Sequence, residues 1–364
     1  MVHRDLEALA IPLPPLSLFA RCATNPPSRF PMSMRWGLCC QFVDAPIRFR
    51  QATHRYVATL GPAAREEYLT NIARANAIAL AHAVEHCHAL GIGAFRITSQ
   101  IVPLATHPES GYALEALVEG EVVVRAFRAA GELARLRDVR LSFHPDQFVV
   151  LNSEREDVVR SAVREMEHQA TVARLVGADV LCLHGGGLAG GAAAALERLE
   201  RGIDRLSGDA RALLALENDD RLFAVRDLLP LSERTGVPLV YDVHHHRCHP
   251  DGLSAGDATT LAMATWGDRE PYLHLSSPRD GWGAANPRPH DANVDPADVP
   301  DAWLGLARAG RRFTVDVEAK DKERALVAIR DATEALLHAA RQATPSTVPL
   351  PVNPSLGDAP APIV

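Results

Sequence analysis

The sequence is short of lysine. Among its 38 basic residues only Lys320 and Lys322 are lysines, both in one short segment, and every other is arginine. It has no run of about 18 uninterrupted apolar residues, which excludes an ordinary membrane span. The six cysteines (Cys22, Cys39, Cys40, Cys87, Cys182 and Cys248) form no C-x-x-C pair and are too sparse for a disulfide framework. Reduced, buried thiols and a cytoplasmic setting are therefore expected. The glycines of GGGLAGG at 185–191 lack the lysine and hydroxyl of a P-loop, and a flexible loop giving access to His184 is the simpler expectation. Basic charge is not in excess either. With 45 acidic side chains the formal net charge is −7, which argues against non-specific coating of nucleic acid but leaves room for phosphate held by bound cations. The N-terminal segment sets Asp5, Glu7 and several prolines in its apolar part and makes a poor secretory signal.

What is present is a large, patterned interior. The 364 residues are 47% apolar, enough for one α/β barrel with extensions or for two ordinary domains. Residues 1–34 are Pro-rich and aperiodic, with Met34 a candidate start, and residues 343–364 are a Pro-rich tail unable to fold alone. Between them, residues 35–342 alternate. Short β-rich runs at 36–40, 94–98, 139–144, 179–184, 213–218, 238–243, 272–276 and 313–318 are separated by mostly helical intervals. The clearest helices are 65–90, ended by Gly91, and 158–177, with Asn152 or Ser153 as start signals. Eight strands alternating with helices predict a parallel sheet closed as a (β/α)8 TIM barrel. An open doubly wound sheet would usually carry a Gly-rich phosphate turn after its first strand, and WGLCCQF offers none.

Barrel chemistry assembles where strands end. Successive predicted strands finish at His144, His184, Glu217, Asp242 (followed by His244, His245 and His246), His274 and Glu318, while adjoining loops add His107 and His290. One such histidine is more often a core residue than a ligand, but six consecutive strand ends doing this together are hard to obtain by chance. Several carboxylates gathered without counter-charge repel one another and are costly to desolvate. Divalent cations resolve this, because imidazole and carboxylate are natural ligands of Zn, Mn or Fe. With at least eight candidate ligands and about three to five per ion, the set suffices for two or three ions. Such ions would form a positive pit that attracts a phosphodiester and supplies hydroxide. Arg48, Arg50, Arg96, Arg279 and Arg288 are candidate holders of flanking phosphates, each with a solvated surface role as an equal alternative. Lys320 is placed to meet phosphate or a leaving alkoxide. His82 and His86, i and i+4 beside Glu85, are expected on a solvated helix face. Trp282, Gln147 and Phe148 are candidate wedge or base-stacking groups.

At these positions the sequence resembles the UV-damage endonucleases, metal-dependent TIM-barrel repair enzymes related in fold to endonuclease IV and the xylose isomerases. The resemblance runs from about Arg35 to Glu323. It rests on RITSQIVPLATHP at 96–108, RLSFHPDQFVVLNS at 140–153, LHGGG at 183–187, ALENDD at 215–220, DVHHH at 242–246, HLSSP at 274–278 and VEAKDKE at 317–323, in that order. It implies a metal-binding set of His107, His144, His184, Glu217, Asp242, His245, His274, His290 and Glu318. Within DVHHH spacing leaves His244 and His245 open, and the resemblance favours His245. It further implies two or three divalent ions, most often Mn²⁺ with Zn²⁺ or Fe²⁺ possible, and a nick immediately 5′ of a photoproduct in double-stranded DNA. No membrane and no obligate protein partner are implied. The expected catalytic residues are Glu217, Glu318, Lys320 and His245, and the expected substrate contacts are Gln147, Phe148, Trp282, Gln100 and Asn218. Members of this family can carry a metal-bridging carbamylated lysine two residues before the strand-seven histidine. Here that residue is Tyr272, and Leu38 and Phe42 stand where a Tyr and an Asn are expected.

Two other readings remain open from the sequence. One is a multinuclear iron enzyme on the same barrel acting on a small molecule or peptide, motivated by the altered probing residues and the acidic charge. The other is a metal-stabilised DNA-binding scaffold without turnover.

Overall fold

The computed structural model describes residues 33–343. The expected N-terminal extension apart from its last two residues, Cys22, and the tail beyond Ala343 lie outside the described residues.

Eight parallel strands close on themselves in sequence order. They are β1 (Met34–Cys39), β2 (Ala94–Ile97), β3 (Arg140–Phe143), β4 (Val180–His184), β5 (Leu214–Glu217), β6 (Leu239–Asp242), β7 (Tyr272–Leu275) and β8 (Phe313–Val317). Each strand is almost wholly buried, because its outward side chains meet a ring of helices and its inward ones fill the barrel. This is the (β/α)8 TIM barrel that the alternation of β-rich and helical segments predicts.

Helix Pro62–Ala89 opens with proline at its first position, where the missing N–H costs nothing. Gly91, just past its end, has φ +69°, a conformation open to glycine at little cost. Helix Glu156–Val176 ends the same way on Gly177, φ +70°. Its N-cap, however, is Arg155 rather than Asn152 or Ser153. Asn152 does something else: its amide nitrogen donates to the Gly187 carbonyl at 2.7 Å and its oxygen accepts from Gly187 N–H at 3.0 Å. The glycine loop after β4 is thus clamped rather than loose, and Arg198 adds a hydrogen bond to the Ala189 carbonyl. His86 also departs from expectation. It is buried with its ring edge-on to Phe42, centroids 5.2 Å apart, because this part of the long helix packs against the segment after β1.

Strand register builds the mouth of the barrel. β4 and β5 align His184 with Glu217, and β6 and β7 align Asp242 with His274. Inward residues alternate along each strand. Asp316 therefore lies one layer below Glu318 on β8, and Cys182 one layer below His184 on β4. Gly37 on β1 faces Asp316 so closely that a methyl group there would collide with the carboxylate. The five cysteines within the described residues, Cys39, Cys40, Cys87, Cys182 and Cys248, are all free.

Candidate metal centre

Glu217 is the hub of the mouth, and its two oxygens face different imidazoles. Oε1 is 2.9 Å from His274 Nδ1 and 3.3 Å from His245 Nδ1. Oε2 is 2.8 Å from His144 Nε2 and 3.7 Å from His184 Nε2. Each oxygen of the carboxylate is thus shared by its own pair of imidazoles.

Asp242 and His245 are brought together by local helix formation. Asp242 caps the short helix Val243–Cys248, its Oδ1 accepting from His245 N–H at 2.7 Å. One turn on, the His245 ring returns to the same side, with Nδ1 3.6 Å from Asp242 Oδ2. His244, one step earlier, points away and meets the Arg288 carbonyl at 3.1 Å. His246 is held by the Tyr241 hydroxyl at 2.7 Å and Asp251 at 3.1 Å. Glu318 closes the ring, 3.7 Å from His274 Nδ1 and 3.5 Å from His290 Nδ1. The structure therefore gathers His144, His184, Glu217, Asp242, His245, His274, His290 and Glu318.

It does not bring His107 to them. The His107 ring stacks on His54, centroids 4.2 Å apart, and its Nδ1 accepts from the backbone N–H groups of Glu109 and Ser110, each at 3.2 Å. A neutral ring used this way carries its hydrogen on Nε2.

The donor set fits divalent cations. Asp242 Oδ2 and His274 Nε2 are buried without a hydrogen-bond partner, unusual and costly unless a ligand completes them. His144 presents Nδ1 to the Pro145 carbonyl at 3.0 Å, which fixes a hydrogen on Nδ1 and leaves the Nε2 lone pair for an ion. Two groups, His144 with Cys182 and Glu217, and Glu217 with Asp242 and His245, each bring one ligand atom per residue within 4.8 Å of the others.

Without ions, the imidazoles supply the counter-charge. Burial works to raise the Glu217 carboxyl, but His274, His184, His144 and His245 override it and hold Glu217 well below the ordinary carboxylate range. Reciprocally, burial pulls His274 down while Glu217 outweighs it and pushes it up to about 9. His245 is raised against its burial by Asp242 and Glu217. Burial prevails at His184, which is lowered.

The remaining predicted residues have distinct placements. Phe148 stands on the loop after β3 with 78% of its surface exposed, and Gln147 beside it is exposed too. Gln100 lines a cavity of about 570 Å³ shared with Phe148 and His107. Trp282 is tethered: its indole N–H donates to Asp298 at 2.8 Å, and its ring lies 5.3 Å from the Arg247 guanidinium and 5.1 Å from the His244 ring. Asn218 is 1% exposed, and its amide grips the backbone of Asp242, donating to the carbonyl at 2.9 Å and accepting from the N–H at 3.0 Å. Lys320 is exposed at the rim, its backbone bonded to the Asp291 carbonyl. Among the rim arginines, Arg48 holds three nearby carbonyls, Arg279 pairs with Asp280 and Arg288 with Asp220.

Sequence reasoning misplaced Arg96 as a rim phosphate holder, took Cys182 only for a buried thiol and passed over Asp316. Arg96 donates to Glu318 at 2.5 Å and lies 3.9 Å from Asp316, so it is an internal counter-charge. Asp316 is fully buried with no hydrogen bond to either oxygen. The Cys182 thiol donates to Glu217 Oε2 at 3.2 Å. The alternation Cys182–His184 and Asp316–Glu318 carried the signal, since residues two apart on a strand share a face. Tyr272 is buried beneath His274, its hydroxyl 2.7 Å from Ser142 Oγ and its ring 5.0 Å from the Arg140 guanidinium.

Comparisons with known proteins agree with this architecture. The UV DNA damage endonuclease of Deinococcus radiodurans is 35% identical over 309 residues, covering 81% of this chain and 94% of its own length. The crystal structure of SacUVDE superposes with a TM-score of 0.72 at 27% identity, covering 83% of this chain and 99% of that one. Endonuclease IV from Thermus thermophilus shares the fold, with a TM-score of 0.53 at 18% identity over 84% of this chain and 99% of its own. Residues 34–348 match the family described as UV-endonuclease UvdE, and the chain belongs to that family.

Proposed function

We propose that this protein is a metal-dependent DNA-repair endonuclease that nicks the phosphodiester 5′ of a UV photoproduct in double-stranded DNA. The observation that carries the reading is Glu217, whose two oxygens each face their own pair of imidazoles at the mouth of the barrel. His144, His184, Glu217, Asp242, His245, His274, His290 and Glu318 would hold two or more divalent ions, with Mn²⁺ the first candidate. Such ions, when bound, activate water toward phosphorus and offset the charge developing on the phosphoryl oxygens.

The chain's own residues do the rest. Glu217 fixes the spacing of the two halves of the centre, and Asp242, held by Asn218, keeps His245 in line. Arg96 holds Glu318 in place from below. Lys320, exposed at the rim, is positioned to meet a phosphate oxygen beside the scissile bond. Phe148, an aromatic side chain left in water by the free protein, gains by stacking on bases that a lesion has already loosened. Gln147 accompanies it on the same loop. The reducing cytoplasm is the setting we propose, in keeping with the five free thiols.

The test is incubation of the purified protein and Mn²⁺ with irradiated and unirradiated supercoiled plasmid. Nicking of the irradiated form is expected, with ends that a DNA polymerase extends directly. Equal nicking of both forms, or of neither, overturns the reading.

A further inference from the structure

The floor beneath Glu217 carries a donor that the imidazole and carboxylate set does not include. Cys182 lies on β4, one inward step below His184, and is buried. Its neighbours on the barrel floor are apolar or aromatic, among them Val180, Ala215, Val240 and Trp266, a setting that a valine would fill equally well. Instead a sulfur stands 3.2 Å from Glu217 Oε2. The same oxygen is 2.8 Å from His144 Nε2 and 3.7 Å from His184 Nε2. His144, Cys182 and Glu217 each bring one ligand atom within 4.8 Å of the others, close enough for one ion to reach all three at bond lengths of about 2.0–2.3 Å. A second observation points to a ligand in this mouth: the buried, unpartnered Asp242 Oδ2 in the adjoining half.

We propose that Cys182 is a metal ligand, its thiolate completing a centre formed with His144 and Glu217. The thiol proton passes to solvent as sulfur takes the ion. A thiolate makes this half of the site softer than its partner around Asp242 and His245, so it selects Zn²⁺, Fe²⁺ or Co²⁺ over Mn²⁺. The proposal rests on the metal-dependent reading above.

Titration of the ion-free full-length protein with Co²⁺ separates the two. Visible ligand-field bands report that the site has loaded, and a near-ultraviolet sulfur-to-cobalt charge-transfer band reports thiolate ligation. Wild type is expected to give both. Cys182→Ser and Cys182→Ala should keep the ligand-field bands and lose the charge-transfer band, and their preference for Zn²⁺ over Mn²⁺ should fall by about tenfold or more. Ligand-field bands without charge transfer in wild type, or a charge-transfer band undiminished in both variants, overturn the sulfur ligand while leaving the metal centre standing. Absence of both bands in wild type overturns the metal reading and this proposal with it. X-ray absorption at the zinc edge of the loaded wild type needs no variant. It should find one sulfur at about 2.3 Å, and a shell of nitrogen and oxygen alone would refute the proposal.

Discussion

Replacing Asn218 by alanine tests whether the residue after Glu217 touches substrate or builds the site. Its amide spans β5 to β6 and satisfies both the N–H and the C=O of Asp242, two backbone groups with no access to water. Alanine leaves the N–H unpaired, while the carbonyl, which caps the helix Val243–Cys248, keeps its first helical hydrogen bond. An orphaned buried group costs about 1–3 kcal/mol, so Asn218→Ala should destabilise the barrel by roughly 2 kcal/mol. Unfolding entropy near 2.1 cal/mol/K per residue turns that into a melting temperature lower by about 3 °C for a barrel of this size. Urea unfolding of the ion-free protein measures the loss, with an unchanged m-value expected. Asp242 and His245 also lose their registration, so ion affinity and kcat should fall while KM for irradiated DNA stays level. Asn218→Asp retains the acceptor for Asp242 N–H and should recover part of the stability. A variant that unfolds at the wild-type urea concentration yet shows a raised KM would refute this reasoning and make Asn218 a substrate contact.

Other outcomes follow from the same geometry. Glu217→Gln removes the charge that two sets of imidazoles share and should lower nicking by more than about a hundredfold, with a reduced ion count by elemental analysis. Phe148→Ala should leave stability within about 0.5 kcal/mol of wild type because the ring is already in water. It should still reduce the preference for irradiated over unirradiated plasmid by about tenfold, the scale of one lost base-stacking contact. His168, beside the cavity near Phe148, is held by burial below its ordinary value of 6.5, with Glu165 opposing. The unfolded chain therefore takes up that proton first, and stability should fall as pH drops below about 6.5, a slope that His168→Gln should flatten in melting curves.

The fold was legible because its signal is repeated. Eight β-rich runs alternate with helices, and the observed strands begin and end within two residues of those runs. The site was legible for a related reason: strand-end positions are one-dimensional information, and parallel register converts them into one ring. His184 meets Glu217, and Asp242 meets His274, because neighbouring strands align them. Loop residues carry no such rule. His107 sits in the segment between β2 and the next helix, and its ring turns to His54 through hydrogen bonds that no spacing encodes. Asn152 was visible as a helix start signal and Asn218 as a polar residue at a strand end. That each grips another segment's backbone depends on distances across the fold.

Charge explains why the barrel can fold before any ion arrives. Glu217, Asp242 and Glu318 converge in a space closed to water or nearly so, and three bare carboxylates there would be severely destabilising. Arg96, from inside the barrel, supplies a permanent positive charge to Glu318 and stands near Asp316. His245 and His274 supply the remainder, their imidazoles raised by the carboxylates around them. Bound ions would take over this role, with His245 and His274 giving up their extra protons to make room for the cations' charge. The same argument removes Arg96 from the list of phosphate contacts, since its guanidinium is committed to interior carboxylates. It also separates fold from activity. A chelator should abolish nicking while far-ultraviolet dichroism is unchanged, whereas Arg96→Met, which withdraws the permanent charge, should destabilise the ion-free barrel more than the metal-loaded one. Equal destabilisation of both forms would mean that Arg96 acts by packing and that the counter-charge account is wrong.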